Sequence, residues 1–325
     1  MSRNPKPETR NSGPETRDSK PKPRLIVICG PTGVGKTEMA IRLATMYGGE
    51  IISADSMQVY RYMDIGTAKP AAEERLSVKH HLIDVVNPDE EFNASLFVRD
   101  AGKVIDKLDK DGKNIFVVGG TGLYIKALLG GLVEGPGADR NLRKLYKNDL
   151  KKFGSAYLYK KLKNLDKIAA GRIHPNDAVR IIRALEVFEH TGESIVKKHE
   201  EHHFRCRAYD YIKIGLILDR ETLYERIDMR TEKMISDGLI EEVGELLKSG
   251  FDESLKPMQS MCYKHINNYI KGVYSISEAK RLIDRDTKRY AKRQMTWFNQ
   301  ENDIKWHYPQ SEGDIKDEVK RFLDV

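Results

Sequence analysis

Gly30-Pro31-Thr32-Gly33-Val34-Gly35-Lys36-Thr37 places two glycines, a lysine and a threonine at the spacing G-x-x-x-x-G-K-T. Glycines so placed let backbone N–H groups converge on phosphate oxygens, and the helix that such a loop opens adds the positive end of its dipole. Lys36 then supplies a point charge to the terminal phosphate, and Thr37 a hydroxyl ligand for Mg²⁺. Taken alone, this phosphate-binding loop (P-loop) is a nucleotide-binding pattern that announces a nucleoside triphosphate such as ATP. It does not say which phosphate compound binds.

Two further groups carry chemistry. ATPases and GTPases usually add a strand that ends in an Asp for Mg²⁺. Here residues 114–118 run instead into Gly119-Gly120-Thr121-Gly122, whose amides and single hydroxyl suit an anionic or leaving-group oxygen. Thr121 can equally be the N-cap of the next helix. Asp55 follows the apolar run at 50–54. A carboxylate at a strand's carboxyl end can ligate Mg²⁺ or act as a general base, and it can also merely cap a helix. His199-Glu200-Glu201-His202-His203 formally matches H-E-x-x-H, but it sits in a polar stretch with no apolar face and no third ligand in view, so it reads as a charged helix end.

Strands and helices must position these groups. Residues 25–29, 50–54 and 114–118 are short apolar runs ending in polar or Gly-rich turns. Met39, Ala40, Leu43 and Ala44 follow the loop at helical spacing, and 94–108 reads as a helix. Such alternation predicts the α/β class, a P-loop NTPase-like parallel sheet flanked by helices, with ligands at the carboxyl ends of its strands. From 139 to 200 the period is helical and no strand is convincing; 212–218 then returns as a strand, before amphipathic helices at 220–249 and 277–299. The expected organisation is a disordered basic leader at 1–23, a first part of the core at 24–137, an inserted small all-helical domain at 138–205, and a second part of the core at 206–325.

The totals narrow the class. The 325 residues are 39% hydrophobic and 32% charged, enough for a large core. No apolar run is long enough to span a bilayer and no secretory signal precedes the first strand, so a cytoplasmic protein is expected. Three widely spaced cysteines, Cys29, Cys206 and Cys262, form neither a disulfide framework nor a zinc half-site. Of the net charge of +7, residues 1–24 contribute seven Lys and Arg against three Asp and Glu, leaving the body only mildly basic. Local clustering must therefore carry any case for nucleic acid. Arg281, Arg285, Lys288 or Arg289, and Lys292 form one basic stripe at helical spacing.

Taken together, the chain resembles the tRNA dimethylallyltransferase (isopentenyltransferase) family. The resemblance rests on the phosphate loop, Ser53-Ala-Asp-Ser-Met-Gln-Val-Tyr60, Met63-Asp-Ile-Gly-Thr-Ala-Lys-Pro70 and His80-His-Leu-Ile-Asp84. It continues through Val118-Gly-Gly-Thr-Gly-Leu-Tyr124, His174-Pro-Asn-Asp177, Arg180-Ile-Ile-Arg-Ala-Leu-Glu-Val187 and Tyr290-Ala-Lys-Arg-Gln-Met-Thr-Trp-Phe298, in family order over roughly residues 24–300. It implies transfer of a dimethylallyl group from dimethylallyl diphosphate to N6 of the adenosine next to the anticodon (position 37) of tRNA, with Mg²⁺ as cofactor. The loop residues Gly30 to Thr37 would hold the diphosphate, joined by Lys126. Asp55 matches the family's general base, and Thr121 and Arg230 would stabilise the leaving group. Contacts to the anticodon stem-loop carried over by motif are Asp55, Ser56, Met57 and Gln58, Arg143, Val179, Arg180, Ile181, Ile182 and Arg183, and Met261, Cys262, Tyr263 and Lys264. Ser260-Met261-Cys262 departs from an Ala-Ile-Gly common there. The working unit is expected to be a monomer. The rival readings are a P-loop kinase of a nucleoside or small molecule, a prenyltransferase of free adenine nucleotide, and a non-catalytic P-loop switch or RNA-binding module.

Overall fold

The computed structural model describes residues 21–132, 137, 139–202 and 208–324. The first part runs β1 (Arg24–Cys29), α1 (Lys36–Met46), β2 (Gly49–Ser53), α2 (Ala72–Ser77), β3 (His80–His81), α3 (Ala94–Lys110), β4 (Asn114–Gly119) and α4 (Gly122–Gly130). Four helices follow: α5 (Arg140–Leu165), α6 (Lys167–Arg172), α7 (Ala178–Thr191) and α8 (Ile195–His202). The chain then returns through β5 (Asp210–Leu216), α9 (Arg220–Ser236), α10 (Leu239–Lys248), α11 (Met261–Ile270), α12 (Ile276–Phe298), β6 (Ile304–His307) and α13 (Glu312–Leu323).

The strands form one six-stranded sheet in the order β3-β2-β4-β1-β5-β6, with every neighbouring pair parallel. β1 is central, so Leu25 to Cys29 are buried on both faces, which the unbroken run of apolar residues requires. Leu25 and Val27 pack beneath α3 and α4 residues such as Phe97, Ile105 and Ile125. Ile26 and Ile28 face the opposite layer with Leu43 of α1, Ile227 of α9 and Val319 of α13. Each such buried aliphatic or aromatic side chain contributes roughly 1.5–3 kcal/mol relative to exposure. The chain builds outward from β1 in one direction to β4, β2 and β3 and in the other to β5 and β6. β1 therefore ends at the switch point, where a ligand crevice opens.

The four helices α5 to α8 enclose their own core of Tyr146, Leu158, Leu162, Ile181 and Leu185. Gly154, at φ 78° and ψ 174°, breaks α5 into two pieces. Residues 1–20 of the expected leader, and the expected limits of the insertion at 138 and 205, lie outside the described residues. Two strands were not anticipated. β3 has two residues and β6 four, too short for alternation to register, and each is fixed by its neighbour in the sheet.

Candidate active site

The phosphate loop connects β1 to α1 as its spacing requires. Gly30 has φ +139°, and a Cβ there would lie 2.4 Å from the carbonyl oxygen of Leu216, so only glycine lets β1 turn this close to β5. Lys36 Nζ donates to Pro31 O at 2.7 Å, folding the side chain back over the loop. Burial pushes the Lys36 ammonium down to about 8, opposed by Asp55 and reinforced by Arg230. Arg230, from α9, donates to Thr32 Oγ1 at 3.1 Å; burial also lowers its pKa, while Cys262 and Asp55 act against the shift. Two desolvated cations thus face the loop.

Asp55 follows β2 at its carboxyl end. Its Oδ1 accepts from Met57 N at 2.8 Å, while no protein donor holds Oδ2 among the described residues. The carboxylate is oriented by one oxygen and available at the other. Thr121 is the N-cap of α4, but its hydroxyl makes no cap bond; instead Oγ1 accepts from Ser56 N at 3.1 Å, beside Asp55. From α12, Gln294 joins the two glycine loops: its Oε1 accepts from Thr32 N at 2.8 Å and its Nε2 donates to Gly120 O at 2.9 Å. One turn earlier on the same face, burial and Asp55 push the Tyr290 phenol up to about 12, while hydrogen bonds with Thr121 and Gln294 pull the other way.

These groups surround two adjoining cavities. The larger, about 660 Å³, is lined by Gly33, Lys36, Thr37, Gln58, Gly119 and Gly120. The second, about 330 Å³, is lined by Ser56, Met57, Gly66, Ser260, Met261, Cys262 and Arg293. Thr32, Asp55, Thr67, Arg230, Met234 and Tyr290 line both. A phosphate chamber and a second chamber therefore meet at a carboxylate flanked by a cation and a phenol. For Mg²⁺ the available donors, the Thr37 hydroxyl and the Asp55 carboxylate, are all oxygen. That suits a hard cation that keeps waters and rides chiefly on phosphate oxygens. No group of three His, Cys, Asp or Glu able to hold a metal occurs among the described residues.

Not every expected residue reaches the cavities. Lys126 lies 6.0 Å from the Trp297 ring centroid and lines neither chamber. Thr121 also lines neither; its hydroxyl bonds with Ser56 N and the Tyr290 phenol. Tyr263 is fully buried with its hydroxyl on Glu242, whereas Met261 and Cys262 do line the second chamber. On the helical unit, Arg143 forms a two-pronged pair with the buried Glu186 at 2.9 and 2.8 Å. Ile181 and Ile182 belong to that unit's core, while Val179 is 81% exposed. Arg180 pairs with Asp177 at 3.4 Å and Arg183 with Glu186 at 3.5 Å. The basic stripe on α12 is largely neutralised: Arg281 pairs with Glu278, Arg285 and Arg289 with Asp286, and Lys288 with Asp228. Acids interleaved on α12 and facing it from α9 answer those cations. In the H-E-x-x-H stretch, Glu200 pairs with Arg172, and His203 lies outside the described residues. Gln294 and Tyr290 were missed as site residues. Their signal was the i, i+4 spacing inside the Tyr290–Phe298 block, which places both on one face of a helix.

Comparison with known proteins shows the family. The profile described as IPP transferase matches residues 58–301, and that described as isopentenyl transferase matches 23–89. The tRNA dimethylallyltransferase 2 of Syntrophus aciditrophicus (strain SB) is 55% identical, over 93% of this chain and 97% of its own. The full-length tRNA isopentenylpyrophosphate transferase of Bacillus halodurans superposes with a TM-score of 0.69 at 37% identity, covering 93% of this chain and 97% of that one. A eukaryotic dimethylallyltransferase acting on tRNA superposes with a TM-score of 0.77 at 27% identity, covering 92% and 77%. The phosphate loop, the carboxylate at the end of β2 and the matches across nearly the whole chain agree: this protein belongs to the IPP transferase family.

Proposed function

We propose that this chain transfers a dimethylallyl group from dimethylallyl diphosphate to N6 of an adenosine beside the anticodon of tRNA, releasing diphosphate. The observation that carries the reading is Asp55, shared between the phosphate chamber and a second chamber lined by Met57 and Cys262. A donor held by its diphosphate on one side and an adenine entering from the other would meet at this carboxylate. The tRNA-directed names of the relatives support the acceptor. So do exposed Lys144, Lys147, Lys151, Lys152, Lys160 and Lys163 along α5, which suit phosphate contacts.

In this reading the loop amides and Lys36 bind the diphosphate, and Arg230, hydrogen-bonded to Thr32, adds a second cation. Mg²⁺, held by Thr37 and the diphosphate, would supply further neutralisation of the leaving group. The target adenine leaves its stack to enter the second chamber. The N6 lone pair attacks the allylic C1. The N–C bond forms, the C1–O bond breaks, and its electron pair departs with the diphosphate. Asp55 takes the N6 proton as the bond forms, because an exocyclic amine is a poor nucleophile without a base. Negative charge growing on the diphosphate is met by cations already in place, which is where catalysis of this kind gains most. Thr121 and Tyr290 hold the Asp55 segment in position.

The test is incubation with tRNA, Mg²⁺ and dimethylallyl diphosphate, followed by nucleoside mass analysis. Gain of a dimethylallyl group on one adenosine, absent when free AMP replaces tRNA, is the expected result. Unmodified tRNA, with ATP consumed in a parallel incubation that supplies ATP and a nucleoside, would overturn the reading in favour of a kinase.

A further inference from the structure

Glu242, on α10, has no part in the chemistry above, yet its carboxylate collects four hydrogen bonds. Oε2 accepts from Asp64 N at 2.8 Å and Ile65 N at 2.7 Å. Oε1 accepts from Gly66 N at 3.1 Å and the Tyr263 hydroxyl at 2.5 Å. Three consecutive backbone amides converging on one anion make a nest, and hydrogen bonds to a charged acceptor are stronger than neutral ones.

What the nest holds is the common wall of both chambers. Ile65 and Ala68 line the phosphate chamber, Gly66 the second, and Thr67 both. This segment is strained: Ala68 has φ 46°, a left-handed conformation that persists only where the surroundings enforce it. The fourth bond reaches another element. Tyr263 lies on α11, whose first two residues, Met261 and Cys262, line the second chamber. Its ring packs so closely on Gly66 that a Cβ there would sit 2.5 Å from it. One carboxylate thus ties the segment at 63–70 to α11, and both line the second chamber.

We infer that Glu242 is a positioning residue for the transfer, setting the separation of segment 63–70 from α11 and with it the shape of the two chambers that share Asp55. The inference rests on the proposed function only for its kinetic readout. In Glu242→Gln one oxygen becomes an NH₂ group, which confronts backbone or hydroxyl donors with another donor. The expected result is a KM for dimethylallyl diphosphate raised about tenfold and a kcat lowered about tenfold, because small misplacements of reacting groups are costly. Tyr263→Phe cuts only the arm to α11, so it should raise the KM for tRNA several-fold and leave the donor KM within about twofold. Glu245→Gln, which alters only the surface pair with Lys248, should match wild type.

Inorganic diphosphate binding, measured by calorimetry on the full chain, separates the two claims. Wild type that binds diphosphate but transfers nothing to tRNA would sink the functional reading. Weakened diphosphate binding by Glu242→Gln would still support the positioning role. A folded Glu242→Gln protein with wild-type KM, kcat and diphosphate affinity, even at a lower unfolding temperature, would overturn it. If Glu242→Gln does not fold, wild-type kinetics in Tyr263→Phe would overturn the link between the walls.

Discussion

Gln294→Ala tests whether the two glycine loops are held together by one side chain. Gln294 is 5% exposed and spends its amide on Thr32 N at 2.8 Å and Gly120 O at 2.9 Å. Truncation leaves both backbone groups without a protein partner, at about 1–3 kcal/mol each when buried. Both lie against the phosphate chamber, so water entering from it recovers part of the loss. A net destabilisation of about 2–4 kcal/mol follows. At roughly 2 °C per kcal/mol for a chain of this size, the unfolding temperature falls by about 4–8 °C. Function should suffer separately, because Thr32 also receives Arg230 at 3.1 Å, and a displaced Thr32 moves a cation away from the diphosphate. Inorganic diphosphate affinity should drop about tenfold. Gln294→Met keeps most of the volume and removes both bonds, which distinguishes hydrogen bonding from cavity formation. Thermal unfolding and calorimetric titration of all three proteins decide the matter. If both variants unfold within about 0.5 kcal/mol of wild type and bind diphosphate equally well, the clamp has no energetic role.

Asp55→Asn should reduce kcat by about 10²-fold or more in a single-turnover assay while tRNA affinity stays near wild type; wild-type turnover would refute the base assignment. The same variant should bind inorganic diphosphate more tightly, by about tenfold, because a negative charge beside Lys36 and Arg230 is gone. Thr121→Ala should lower kcat more than it raises the donor KM, since its hydroxyl holds the Asp55 segment; an unchanged kcat with a raised KM would contradict that. Lys36 sits at about 8 in the protein alone, and a bound diphosphate favours its charged form. Affinity for inorganic diphosphate should therefore weaken as pH rises through about 8, by at most about tenfold per unit, with proton uptake on binding; a flat profile from pH 7 to 10 would exclude Lys36 as a ligand. The unfolded chain binds the extra proton between about 8 and the ordinary 10.5, so this group's contribution to stability rises with pH across that window.

The core was legible because β1, β2, β4 and β5 are apolar runs that end in turns, and Gly30 to Thr37 can be read without tertiary information. Asp55 was legible as a position but not in its alternatives. Sequence allowed a cap or a base, and the structure shows the turn bond at Oδ1 with Oδ2 left over. Lys126 shows that adjacency to Gly119–Gly122 in the chain does not fix direction: its ammonium lies 6.0 Å from the Trp297 ring centroid. On α12 the cations of the basic stripe have acidic partners that the sequence does not display. Charge periodicity identifies a face but cannot see Asp228 on another helix, which takes up Lys288. Spacing could place Gln294 on one helix face with Tyr290, but neither its partners nor those of Glu242 were legible, since each acts on backbone groups 174 or more residues away.

The site's charges explain why a phosphate loop can serve carbon transfer. Lys36 and Arg230 are both weakened as cations by burial, and Asp55 is the carboxylate that favours the charged form of each. In the proposed reaction Asp55 gains a proton from N6 and becomes neutral as the C1–O bond breaks. The negative charge that the cations faced on Asp55 therefore disappears while new negative charge grows on the diphosphate. Both cations lose one partner and gain a stronger one in the same step, so their stabilisation rises toward the transition state rather than being uniform along the path. The Gly119-Gly120 turn places no carboxylate at the end of β4, and so adds no negative charge where the leaving diphosphate must develop its own.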